Sequence, residues 1–281
     1  MKKIAWITDT AAQLDDAFIH EYNVHVLPLS VVFADGTYRE SIDLTQEEFY
    51  DKLRTAKTSP KTSQPAIGEM LALYEKLEAE GYDAAIALHL SKGLSGTFES
   101  AQSASKMTGL KVYPIDSKIG SFPMVKMIEA GNELLENGKE VEEVVAALEG
   151  MTAKVHLSFI PSSLNQLHKS GRVSGTQNFL SHLLNIKLVI TFVDGITVMK
   201  EKVRSIKRAK NNVTDALRAD MAAGTVTEVA AIHCNNAADA EIWKKELLEE
   251  FPDLEVEVVQ LSVCVGVHAG EGTTGLSWLA K

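Results

Sequence analysis

Residues 84–90, Ala-Ala-Ile-Ala-Leu-His-Leu, form an apolar run broken only by His89, and they lead straight into Ser91-Lys92-Gly93-Leu94-Ser95-Gly96-Thr97. A strand that is apolar at odd and even positions alike is buried on both faces, as parallel strands under helices are. The small-residue turn then gathers backbone N–H groups and hydroxyls at one point beyond the strand, and a helix begins near Phe98. In an open parallel sheet that point is where ligands sit, and its donors suit an anion. The competing reading is an ordinary tight turn with serine and threonine as caps.

The rest of the first half repeats the alternation. Strand patterns occur at 4–8, 24–33 and 111–115, and helical spacing at 15–21, 45–54, 67–80, 121–136 and 140–151. Asp35-Gly36 signals a hairpin, and Thr45 is a helix N-cap. This predicts an N-terminal α/β domain with a parallel sheet over 1–153.

The second half differs. Strands at 186–193 and 196–203 flank Asp194-Gly195, a hairpin turn, and further strands are expected at 155–160, 226–233, 254–261 and 263–268. Helices are expected at 162–168, 177–184, 206–222 and 237–250, with a short one at the C-terminus. The prediction is a second α/β domain with a mixed or mostly antiparallel sheet over 154–281. Two domains also fit 281 residues at about 150 per domain.

Charge and composition narrow the function. Twenty-eight basic against 38 acidic residues give a net charge of -10, which argues against nucleic acid as a partner. No apolar run approaches the ~18 residues of a membrane span, and Met1-Lys2-Lys3 leads into a strand rather than a signal core. Cys234 and Cys264 are far apart in apolar surroundings, so buried thiols in a reducing cytoplasm are expected. The eight histidines are scattered, with neither C-x-x-C nor H-E-x-x-H, and no metal or cofactor is expected.

Several segments carry chemistry. Ser95 is a candidate nucleophile, but G-x-S-x-G needs glycine where Thr97 stands. The same turn lacks the P-loop lysine pattern, which leaves a nucleotide or phosphate site as the third-ranked reading. Thr62-Ser63-Gln64-Pro65 precedes a helix and offers hydroxyl donors and caps. Residues 270–275 match G-x-G-x-x-G, but only six residues follow, too few for a dinucleotide unit. The turn instead places His268 near a ligand, or leaves it as a bonded core histidine. Lys200, Lys202, Arg204, Lys207, Arg208 and Lys210 invert the local charge, as a solvated face or toward an anionic partner or lipid surface. Arg172 lies in a glycine turn where Gly171 is a helix C-cap, and Asp9 and Asp116 are cap or turn residues near the cleft.

Taken in order, Asp9-Thr10, Thr62-Ser63-Gln64-Pro65, Gly93-Leu94-Ser95-Gly96-Thr97, Ile115-Asp116-Ser117, Ser170-Gly171-Arg172-Val173, Asn185-Ile186-Lys187, Asp194-Gly195 and Gly266-Val267-His268 resemble the DegV family of bacterial fatty-acid-binding proteins. One position departs: Glu271 replaces the proline of the family's usual His-x-Gly-Pro-Gly turn. The resemblance implies a long-chain fatty acid, such as palmitate, stearate or oleate, enclosed between two domains. Ligand-binding residues would be Thr62, Ser63, Ser95, Gly96 and His268. It further implies a non-enzymatic carrier that presents the carboxylate to a separate ATP-binding fatty acid kinase subunit, making acyl phosphate for phospholipid synthesis. Arg172 and Arg204 would be docking candidates for that kinase, and transient membrane contact during loading would be compatible. The alternative is a serine-type esterase or acyltransferase using Ser95 and His268.

Overall fold

The computed structural model describes residues 2–174 and 186–281. The chain opens with β1 (Ile4–Asp9), a 3-10 turn (Thr10–Ala12), α1 (Asp16–Tyr22), β2 (Val24–Leu27), β3 (Ser30–Phe33) and β4 (Gly36–Arg39). α2 (Gln46–Thr55), β5 (Lys61–Ser63), α3 (Ile67–Ala79), β6 (Ala84–His89), α4 (Thr97–Ser105) and β7 (Lys111–Asp116) follow, then α5 (Phe122–Glu136) and α6 (Val141–Met151). The second half contains β8 (Val155–Ile160), α7 (Leu164–Ser170), β9 (Val173–Ser174), β10 (Lys187–Val193), β11 (Ile196–Val203) and α8 (Ile206–Ala222). It ends with β12 (Glu228–His233), α9 (Ala237–Glu250), β13 (Glu255–Gln260), α10 (Val263–Ala269) and β14 (Thr274–Leu279).

The apolar run of β6, up to its last residue His89, follows from its place. It lies in a four-stranded parallel sheet ordered β2-β1-β6-β7, and alternate residues feed two separate cores. Ile86 and Leu88 pack in the core that holds Met127, Ile128, Val144 and Leu148 of α5 and α6. Ala85 and Ala87 face Met70, Tyr74, Leu77, Ala101 and Ala104 of α3 and α4. The chain leaves β1 toward β2 on one side and β6 lies on the other, so the carboxyl ends of β1 and β6 flank a topological switch point.

A small antiparallel sheet, β4-β3-β5, accompanies this domain. The Asp35-Gly36 hairpin joins β3 to β4. Thr62 and Ser63 belong to β5, paired with β3, rather than capping a helix. α3 begins only at Ile67, and its N-cap Ala66 makes no side-chain bond. Thr45 does cap α2, in a reciprocal pair with Glu48.

Among the described residues the second domain carries a seven-stranded mixed sheet, β13-β12-β14-β8-β10-β11-β9. Val213 and Leu217 of α8 and Trp243 and Leu247 of α9 cover it, against Val189, Val229 and Trp278. Two expectations are corrected here. Residues 263–268 form α10 rather than a strand, because Ser262 caps Cys264 N–H and the buried Glu40 carboxylate takes Val263 N–H. Tertiary context thus overrides the β preference of a valine-rich run. The C-terminal helix is in fact β14, a central strand between β12 and β8. Its small residue Gly275 is required there: a Cβ would fall 2.4 Å from Ser158 O. The helix expected at 177–184, and Gly175 and Asn185, lie outside the described residues.

Candidate functional site

Asp9 ends β1 and is fully buried. It accepts N–H bonds from Ala11 at 3.1 Å and Leu90 at 3.0 Å and meets His89 Nδ1 at 3.1 Å. This ties the ends of β1 and β6 together and turns Ala11 and Leu90 toward a cavity at the switch point. Asp116 acts similarly one strand over, accepting Lys92 N–H at 3.1 Å and Lys118 N–H at 3.0 Å.

The cavity has a volume of about 320 Å³, within the range of small-molecule sites. Its walls are mostly apolar. Leu29 and Leu90 come from the first domain; Leu157, Phe159, Phe192 and Leu261 come from the second.

The polar residues collect around three converging elements. Thr62 on β5 is hydrogen-bonded through Oγ1 to His268 Nε2 on α10 at 2.8 Å. Ser95 Oγ lies 2.8 Å from Thr97 Oγ1 at the start of α4. Gly96 is small because Gln64 lies against it: a Cβ there would come within 3.0 Å of the Gln64 amide. Thr62, Ser63, Gln64, Ser95, Gly96 and His268 all line the cavity. Ser63 differs in turning its hydroxyl to the Gln64 carbonyl at 3.0 Å. Burial, and secondly the Arg172 charge, push His268 down to about 4, so the imidazole is neutral at neutral pH.

The structure separates the two arginines. Gly171 ends α7 with φ 66°, as the sequence suggests, and turns the chain so that Arg172 lies half-buried in the cavity wall. Its guanidinium donates to Ser170 O at 2.7 Å. Arg204 is exposed in the turn between β11 and α8, outside the cavity. Of the basic run, Lys210 is engaged with Glu246 and stacks over Trp243.

Sequence reasoning missed Gln64 as a separate lining residue, Arg172 as a wall residue, and the whole apolar wall. Glu271, the departure from the family turn, is held by the Arg54 guanidinium at 2.5 and 3.0 Å and by Asn235 at 2.6 Å. That clamp, rather than a proline ring, ties the terminal turn to α2. Ser95 and His268 each bond a threonine rather than one another, which leaves the esterase reading without its serine–histidine pair. Among the described residues no group of three or more potential ligands could hold a metal, and no helix is long and apolar enough to cross a membrane.

Comparison with known proteins agrees with this architecture. The family model described as "Uncharacterised protein, DegV family" matches residues 3–281. Protein DegV of Bacillus subtilis is 36% identical over 280 residues, covering 99% of each chain. Its crystal structure, described as a fatty acid binding protein, superposes with a TM-score of 0.91 over the full length of both chains. A fatty acid binding DegV family protein from Streptococcus agalactiae is 31% identical, with a TM-score of 0.92 over 100% of both chains. One from Thermus thermophilus, whose structure is described as showing fatty acid binding, is 30% identical, with a TM-score of 0.88 over 99% of this chain and 100% of its own. With near-complete coverage by the family model and by these relatives, the chain belongs to the DegV family.

Proposed function

We propose that this protein binds one long-chain fatty acid between its two domains, 1–153 and 154–281, and presents the carboxylate to a separate ATP-dependent kinase subunit. The observation that carries the lipid reading is the cavity itself, apolar along its walls and edged by the Thr62–His268 pair and Ser95. Fatty-acid binding by the Bacillus subtilis, Streptococcus agalactiae and Thermus thermophilus relatives supports it.

The energetics divide the work. Each buried CH₂ contributes roughly 0.8 kcal/mol, so about fourteen methylenes contribute about 11 kcal/mol gross. A hydrogen bond adds only about 0.5–1.5 kcal/mol net. The tail sets affinity; Thr62, Ser95 and His268, with the Ser63 and Gly96 backbone beside them, orient the head and keep a buried carboxyl from going unpaired.

Catalysis in this reading belongs to the partner, which transfers a phosphoryl group from ATP to the carboxylate while the tail stays enclosed; the acyl phosphate then feeds phospholipid synthesis in the cytoplasm. The family resemblance supports that part, with Arg204 on the exposed basic turn as a docking residue and Arg172 at the cavity wall. The test is a titration of delipidated protein with palmitate and with hexadecanol, followed by ATP and the kinase partner. Saturation by palmitate at one per chain, with acyl phosphate formed only when the partner is added, is the expected result. Equal binding of hexadecanol would remove the head-group role, and ester hydrolysis by the protein alone would restore the esterase.

A further inference from the structure

Glu40 lies just past β4 and is 3% exposed. Its carboxylate collects donors from two distant parts of the chain. Thr10 Oγ1 at 2.7 Å and Gln13 Nε2 at 3.4 Å come from the segment after β1. Ser262 Oγ at 2.7 Å and Val263 N–H at 2.7 Å come from the start of α10, 222 and 223 residues away.

Ser262 and Val263 are the cap and first residue of α10. A seven-residue helix has too few internal bonds to hold itself, and its first N–H groups need an acceptor from outside the helix. Glu40 therefore completes one end of α10. The other end is tied by His268 to Thr62. Both ties lead to the first domain, and between them α10 turns Cys264, Val265 and His268 to the cavity. Rotation by one residue about the helix axis is about 100°, enough to swing the imidazole away from Thr62.

We propose that Glu40 is a positioning residue of the fatty-acid site: it fixes the register of α10, so that His268 meets Thr62 and the head of the bound acyl chain. The role rests on the lipid reading above. Glu40 touches no ligand itself; it acts through the helix.

The two free cysteines make the test specific. Cys264 sits on α10, whereas Cys234 follows β12 and is held by Thr273 O. In delipidated Glu40→Ala, a thiol reagent should label Cys264 at least tenfold faster than in the unmodified chain, with Cys234 unchanged, and palmitate should bind at least tenfold more weakly. Glu40→Gln, which keeps the shape and an acceptor for Val263 N–H, should restore most of both. If the alanine variant does not fold, Glu40→Gln carries the test, with an expected change of about threefold in each readout. Equal acceleration at both cysteines, or unchanged labelling with unchanged palmitate affinity, would overturn the role of Glu40 alone. An unmodified chain that binds no palmitate would overturn the lipid reading, and this role with it.

Discussion

His268 Nε2 and Thr62 Oγ1 lie 2.8 Å apart although 206 residues separate them. This bond joins the helix before the last strand of the mixed sheet to the edge of the small antiparallel sheet, at the rim of an apolar cavity. It makes the polar end of the cavity depend on both domains.

Removing one hydroxyl at a time should show how that end works. Thr62→Val keeps the side-chain shape and deletes the donor, and Ser95→Ala does the same beside Thr97. Each loses a hydrogen bond worth about 0.5–1.5 kcal/mol, so palmitate affinity should fall roughly two- to twelvefold. Displacement of a fluorescent fatty acid measures this, and unchanged affinity in both variants would take these hydroxyls out of the head-group site.

The His268 environment has a consequence for pH. Its folded value of about 4 lies below the ordinary 6.5, so between those values the unfolded chain holds a proton that the folded chain does not. Stability therefore falls as pH drops below about 6.5, and this loss is complete near pH 4. At pH 5 the contribution is on the order of 1–2 kcal/mol. His25, His156 and His233 are also pushed down by burial, so the reading must be a difference between chains. Urea unfolding of delipidated protein at pH 7 and pH 5 should show a smaller loss for His268→Gln; equal losses would argue that the imidazole is not buried as described.

Chain length should be read by the walls. Val265 lines the cavity from α10, and Val265→Phe adds volume there. With about 0.8 kcal/mol for each enclosed CH₂, dodecanoate should bind the unmodified chain more than a hundredfold more weakly than palmitate. In Val265→Phe that gap should narrow, because the longer tail loses its space. Calorimetric titration across a chain-length series decides it: a variant with the same gap would show that the tail does not pass α10.

Arg204 lies outside the cavity on an exposed basic turn. Arg204→Glu reverses a surface charge and should lower acyl phosphate formation with the kinase partner at least fivefold while leaving palmitate affinity within twofold. Loss of lipid binding instead would place this arginine in the fold or the pocket.

Much of this was legible in the sequence for identifiable reasons. β6 could be read because burial on two faces leaves an apolar run broken only by His89, and the β10–β11 hairpin because Asp194-Gly195 demands a tight turn with positive φ at both residues. By residue type alone Thr62 reads equally as a helix cap, Ser95 as a turn residue and His268 as a bonded core histidine; the family resemblance is what singles them out as ligand residues. α10 was not legible, since its helical state depends on a carboxylate 222 residues away that no local pattern reveals. β14 was hidden by the glycines before it; its strand character comes from neighbours on both sides. The apolar wall drew on leucines and phenylalanines that look like any core residues until the two domains meet.

The most direct measurement is to purify the protein from a bacterial host, extract it with organic solvent and quantify acyl chains by mass spectrometry. About one long-chain fatty acid per polypeptide, lost on delipidation and regained with palmitate, is the outcome expected from an enclosed apolar cavity with a hydroxyl-and-imidazole rim. Protein that emerges empty and takes up no fatty acid when supplied would contradict it.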